Sequence, residues 1–239
     1  MPELNNLKIQ IFADGADSKE IEKLSNYSYI KGFTTNPTLM KEFGVTDYVK
    51  ASIEILEIVK HKPVSFEVFT DNLKEMHTQA TKISKLGNNV NVKIPISNSK
   101  GESSSDLLKE LTKEGIKTNV TAIFTTEQIK EASEATIDSP YAILSIFAGR
   151  IADTGVDPEK LTAESVKIKN DINPKANILW ASPREVFNIF QAERVGCEII
   201  TVAHSILNKL ENLNKDLNQF SIETITMFYE DAKKAGYKI

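Results

Sequence analysis

The chain has 239 residues, 41% hydrophobic and 26% charged, with 29 basic against 33 acidic residues and a net charge of -4. That length supports one large domain or two small ones with a core needing no disulfide or metal, and the charge balance argues against nucleic acid as a partner. No run of about 18 apolar residues occurs, and "MPELNNLKIQ" lacks the basic and apolar regions of a secretory signal, so no membrane partner and a cytoplasmic location are expected.

The first run, "LKIQIFAD" (7–14), predicts a strand, and Ser18 ahead of "KEIEKL" predicts a helix start. "GFTTN" (32–36) is the second strand, and Thr46-Asp47 opens a helix over "YVKASIEILEIVK". "VSFEV" (64–68) follows, with Thr70-Asp71 ahead of "NLKEMHTQATKISKL", and then "NVKIPI" (91–96). The polar loop 98–106 leads into "SSSDLLKELTKEG", where Gly115 fits a C-terminal cap. "TNVTAIF" (118–124) precedes a helix opened by Thr125, and "YAILSIF" (141–147) and "NILWAS" (177–182) are the next strands. "SPREVFNIFQAERVG" predicts a helix with Pro183 and Arg184 in its first turn, before the eighth strand, "EIITVA" (198–203). Beyond it lie two helical segments, the second with Ile222, Ile225, Met227 and Phe228 on one side, expected to pack on the barrel or on a neighbouring subunit.

Eight strands alternating with helices across short connections predict an α/β fold, a single (β/α)8 TIM barrel, with an open doubly wound sheet as the alternative. One domain over 1–239 is expected, with 204–239 as a C-terminal helical extension. Cys197 is the only cysteine and reads as a packing residue. His61, His77 and His204 have no metal-ligand spacing, so no metal is expected.

Strand side chains alternate between faces, so the apolar half of each run sets its phase. Val64, Phe66 and Val68 assigned to the helices leave Ser65 and Glu67 inward. The same phasing sends Asp14, Lys93 with Asn91, Asn119 with Thr121, and Ser145 with Phe147 into the interior. Taken singly, a strand-end Asp is a cap, a strand Glu an edge residue and a strand Lys a solvated one. Three charges phased inward by their apolar neighbours on three strands point instead to chemistry at the C-terminal end of a barrel. A lysine there can act as an amine nucleophile toward a ketone, with Asp14 and Glu67 available for proton transfer.

"ADGAD" (13–17), "TTNPTLM" (34–40), "VSFEV", "NVKIPIS" (91–97), "TNVTAIF", "SIFAGRIAD" (145–153) and "ASPRE" (181–185) occur in the order and at roughly the spacing found in transaldolases, which the chain resembles from about residue 9 to 203. The resemblance implies transfer of a dihydroxyacetone unit between sugar phosphates, with Lys93 as the Schiff-base lysine and no cofactor. It implies that Asp14 is the base at the C4 hydroxyl and that Glu67 acts through a water with Thr121. Asn36, with Thr35 beside it in "TTNP", and Asn119 and Ser145 match positions that hold the dihydroxyacetone hydroxyls, while Arg150, Ser182 and Arg184 match the phosphate grip. The related fructose-6-phosphate aldolases tend to carry Gln in place of Glu67 and Tyr in place of Phe147, so both residues match the transferase branch. Pro183 departs from the aromatic residue usual in classical transaldolases. The resemblance also implies a homo-oligomer, and a non-catalytic sugar-phosphate-binding barrel is the reading of another class.

Overall fold

The computed structural model describes residues 4–239. In chain order the elements are β1 (Gln10–Asp14), α1 (Ser18–Ser25), β2 (Ile30–Thr34), α2 (Pro37–Glu42), α3 (Tyr48–Ile58), β3 (Val64–Glu67), α4 (Leu73–Ser84) and β4 (Val90–Pro95). They continue as α5 (Ser105–Lys113), β5 (Thr118–Ile123), α6 (Thr126–Ala135), β6 (Ala142–Ile146), α7 (Ala148–Ala152), α8 (Pro158–Ile172), β7 (Asn177–Trp180), α9 (Phe187–Arg194), β8 (Ile199–Ala203), α10 (His204–Leu207) and α11 (Leu217–Ala235). The eight strands pair in parallel in sequence order, and β1 closes on β8. This is the expected (β/α)8 barrel, and closure excludes the open sheet.

All eight expected strands form. The helices α2, α7 and α8 go beyond the expected set, although Asp157 caps α8 and Pro158 opens it, a readable start signal, while the first expected segment after β8 forms as α10 and a 3-10 turn. Two caps move. Asp17, rather than Ser18, accepts from the first turn of α1, and Asn72, rather than Thr70 or Asp71, caps α4. Asp71 is instead drawn to the loop after β4, where it accepts from the backbone N–H of Ser99 at 2.7 Å and its hydroxyl at 2.6 Å. Thr125 does open α6, with a full capping box to Gln128.

The interior divides into two halves. Phe12, Ile143, Leu179, Ala181 and Ile199, from β1, β6, β7 and the start of β8, form an apolar plug. From β3, β4 and β5 the inward residues are polar: the Asn119 amide donates to Ser65 Oγ at 3.0 Å and accepts from the Ser145 hydroxyl at 2.7 Å, which ties β3, β5 and β6 together across the interior. Cys197 is buried, and burial, with Glu198 adjacent, pushes its thiol far above the ordinary range, as expected of a packing residue.

The chain divides into a barrel unit ending at Leu207 and a second unit, Asn208–Ile239, made of a 3-10 turn and α11. In α11 the apolar residues Ile222, Ile225, Met227 and Phe228 are all more than half exposed. Among the described residues no helix is long and apolar enough to cross a membrane.

The plug explains one glycine. A Cβ on Gly32 would lie 2.6 Å from the Phe12 ring, and the neighbouring core leaves the ring no room to yield. Gly32→Ala is therefore expected to cost about 1–3 kcal/mol, read as a lower urea midpoint at unchanged slope, and Phe12→Leu in the same chain should recover part of the loss.

Candidate active site

β4 carries Lys93 to the barrel axis, where its side chain is only 8% exposed. The β3–β4 register sets Glu67 beside Lys93, and the carboxylate Oε2 lies 3.0 Å from the ammonium Nζ. A second proton of Nζ is donated to the Thr35 carbonyl at 3.1 Å. On the other side the register sets Asn119 next to Lys93. The Thr121 hydroxyl is buried with no hydrogen-bond partner among the described residues, and so is that of Thr35.

Asp14 ends β1 and accepts from the Thr34 hydroxyl at 2.6 Å, and Thr34 is in turn hydrogen-bonded to Thr201 of β8. Burial lifts the Asp14 carboxyl above the usual carboxylate range, while Lys93, the Thr34 hydroxyl and His204 pull it back down. The Lys93 charge therefore acts on Asp14 as well as on Glu67. His204, opening α10, is pushed below its ordinary range by burial, against nearby Glu20, Asp14 and Asp17.

Glu67 is held from behind. The β2–β3 pairing stops at Thr34 and Ser65 because the chain turns at Thr35–Asn36 into α2, which leaves the Glu67 backbone without a strand on that side. Tyr48, the first residue of α3, replaces it: its hydroxyl donates to the Glu67 carbonyl and accepts from the Glu67 N–H, both at 2.9 Å.

The rim is assembled from strand ends under strain. Ala122 and Ser182 both adopt φ 59°, a left-handed conformation costly for residues other than glycine. Gly149 lets α7 approach the loop after β7 so closely that a Cβ would fall 1.6 Å from the Ser182 carbonyl oxygen. Arg150 of α7 lies over the Phe147 ring at 5.7 Å, and Arg184 is ion-paired with Asp153 just beyond α7. The expected place of Arg184 in the first turn of a helix is overturned. α9 begins only at Phe187, and the Arg184 N–H donates to Asn188 Oδ1 at 2.7 Å. Pro183 disfavours helical geometry at the residue before it, and Ser182 is already left-handed, so 182–186 remains a turn and offers no free helix terminus to an anion. Asn36 is the N-cap of α2, its Oδ1 accepting from the Leu39 N–H at 3.0 Å, while its amide nitrogen is not used in that cap.

The sequence profile described as Transaldolase/Fructose-6-phosphate aldolase matches residues 11–239. The chain belongs to the transaldolase/fructose-6-phosphate aldolase family. A protein named probable transaldolase from Thermoanaerobacter sp. (strain X514) is 34% identical over 97% of this chain and 100% of its own length. One of the same name from Brucella ovis is 32% identical over the same shares. Among solved structures, a HpcH/HpaI aldolase/citrate lyase family protein from Burkholderia cenocepacia J2315 superposes with a TM-score of 0.56 at 9% identity, over 92% of this chain and 98% of that one. Orotidine 5'-monophosphate decarboxylase from Metallosphaera sedula gives 0.55 at 11% identity, over 88% and 98%. At such identities these two show the barrel alone.

In this member of the transaldolase/fructose-6-phosphate aldolase family the geometry brings Lys93, Glu67, Thr35 and Asp14 into one electrostatic unit and sets Asn119, Thr121 and Ser145 beside it in the interior. It adds three residues that sequence reasoning missed. Thr34 and Thr201 sit in apolar runs, where a threonine reads as an ordinary strand former. Tyr48 lies on a helix, where no periodicity marks a hydroxyl aimed at a strand.

Two outcomes follow. A raised folded-state carboxyl takes up protons on folding, so the Asp14 charge costs stability above that raised value and nothing below the ordinary carboxylate range. Asp14→Asn should raise the melting temperature at neutral pH, with the gain shrinking as the pH falls through the raised value; a variant less stable than the native protein at pH 7 would contradict this. Tyr48→Phe leaves the Glu67 backbone groups without their partner and should cost about 1–3 kcal/mol, measurable by chemical denaturation.

Proposed function

We propose that the chain is a transaldolase, moving a dihydroxyacetone unit from a ketose phosphate such as sedoheptulose 7-phosphate to an aldose phosphate such as glyceraldehyde 3-phosphate, through a Schiff base on Lys93. The carrying observation is the buried Lys93 ammonium with Glu67 at 3.0 Å and Asp14 within its field. Glu67 is positioned to take a proton from the ammonium, which frees the amine to attack the ketose C2 carbonyl. The carbinolamine then loses water, with Glu67 and the Thr121 hydroxyl handling the proton and the departing water.

Asp14 takes the C4 hydroxyl proton as the C3–C4 bond breaks and the electron pair moves into the iminium. The product aldose leaves and an enamine stays on Lys93. Attack of the enamine C3 on the acceptor aldehyde reverses these steps, Asp14 returns its proton, and hydrolysis frees the lysine. The iminium is the electron sink, so the reaction calls for no cofactor. Asn36, Asn119 and Ser145 are assigned to the dihydroxyacetone hydroxyls, and Arg150, Ser182 and Arg184 to the phosphate. The exposed Arg184–Asp153 pair is worth at most about 1 kcal/mol, so a phosphate dianion can displace Asp153 from the guanidinium.

Transfer is favoured over simple cleavage of fructose 6-phosphate because residues 67 and 147 are Glu and Phe, where the aldolase branch tends to carry Gln and Tyr. We assign the enzyme to the cytoplasm and to a homo-oligomer in which the exposed apolar side chains of α11 are covered by a neighbouring copy.

Borohydride reduction in the presence of fructose 6-phosphate, followed by peptide mass spectrometry, should place a dihydroxyacetone adduct on Lys93 and none on the Lys93→Ala protein. In a separate, unreduced sample, fructose 6-phosphate with erythrose 4-phosphate should yield sedoheptulose 7-phosphate. An active native protein without the adduct would sink the mechanism, and cleavage without transfer would turn the assignment to the aldolase branch.

A further inference from the structure

The opposite end of the barrel carries a feature that the aldol chemistry does not use. A funnel of about 750 Å³ opens there, between the loops that precede β3, β4, β5 and β6. Its cationic groups are Lys60 and Lys117, with the His61 imidazole beside them, and no acidic side chain lines it. Among the described residues, the ion pairs engage other side chains and leave these three without a carboxylate partner. Lys117 is held on the rim by donating to the Asn88 carbonyl at 2.7 Å, which leaves further protons on its ammonium. Lys62, adjacent, is turned away to the Ser25 and Tyr27 carbonyls but adds to the local positive charge. Lys60 also borders a neighbouring cleft that holds Glu22, Glu54 and Glu57, none of them ion-paired with it, and Glu198, which acts on Tyr141, is bound to Lys169 at 2.6 Å.

The inner wall of the funnel is formed by Asn91, two residues before Lys93 on β4 and so on the same inward face. It is 1% exposed, and its amide nitrogen is buried without a hydrogen-bond partner among the described residues. Buried polar groups are ordinarily satisfied, so an unpaired donor on a residue lining a funnel with Lys60 and Lys117 marks a place for an acceptor. Tyr141, with Pro63 and Pro140, supplies an apolar wall. The volume falls within the range of roughly 300–1,000 Å³ typical of small-molecule sites, larger than an inorganic anion requires.

We propose that this N-terminal funnel binds a small organic phosphate, its phosphate oxygens held by Lys60, Lys117 and the Asn91 amide and its apolar or ring portion lying on Tyr141. The site is separate from the sugar-phosphate site argued above and does not depend on that assignment.

Inorganic pyrophosphate and adenosine 5'-monophosphate serve as probes, titrated into the full chain by calorimetry with melting temperature as a second readout. Both should bind and raise the melting temperature, with affinity falling as salt rises. Binding should persist in Arg150→Ala/Arg184→Ala, which disables the other end of the barrel. It should weaken by about tenfold or more in Lys60→Gln/Lys117→Gln, a pair of rim changes expected to leave turnover unchanged, and several-fold in Asn91→Leu. The nucleotide should bind more tightly than pyrophosphate and lose that advantage in Tyr141→Ser. No binding of either probe at millimolar concentration overturns the proposal, as does binding lost in the arginine variant and kept in the lysine variant. Equal affinity for the two probes would remove its organic component.

Discussion

A lysine ammonium on the inner face of a parallel barrel is the constraint around which this structure is arranged. Removing such a charge from water costs several kcal/mol even after relaxation, and the cost is tolerable only when the compensating groups are fixed. Here they are Glu67 at 3.0 Å and the Thr35 carbonyl at 3.1 Å. The first depends on the β3–β4 register, in which Glu67 and Lys93 are direct neighbours. A slip of one residue in either strand would turn that strand's charged side chain to the helix layer and leave the other unpaired. It depends also on Tyr48, which replaces the missing strand partner of Glu67. The second exists because β2 stops and turns at Thr35–Asn36, freeing a carbonyl that a longer strand would have kept in the ladder.

The same constraint divides the interior. A polar half from β3, β4 and β5 would be poorly stabilised alone, and the apolar plug around Phe12, Ile143, Leu179 and Ile199 supplies the burial that closes the barrel. Gly32 is small because Phe12 occupies its space. The polar stripe extends from Glu67 and Lys93 toward one end of the barrel to Asn91 toward the other.

Within the barrel unit, the described non-glycine residues with positive φ lie at the rim. The left-handed residues Ala122 and Ser182 end the fifth strand and follow the seventh, and Gly149 is pressed against the Ser182 carbonyl. These contacts settle where Arg150 and Arg184 emerge, and they move Arg184 off the helix terminus and onto Asp153.

The sequence by itself determined the eight strands, their inward phase and the convergence of Asp14, Glu67, Lys93, Asn119 and Ser145, because apolar alternation and the period of two are local properties of each run. It also carried the family resemblance in its ordered motifs. Only the tertiary structure decided which of several adjacent cap residues serves a helix, as with Asn72 over Asp71, since the loser was claimed by Ser99 from a distant loop. It likewise decided that Arg184 lies in a turn, that Thr34 links Asp14 to Thr201 across β1, β2 and β8, and that a tyrosine on α3 holds Glu67. Each of these joins residues far apart in the chain through a single hydroxyl, carboxylate or carbonyl, and such pairings leave no periodic trace because distance along the sequence sets neither their partner nor their geometry.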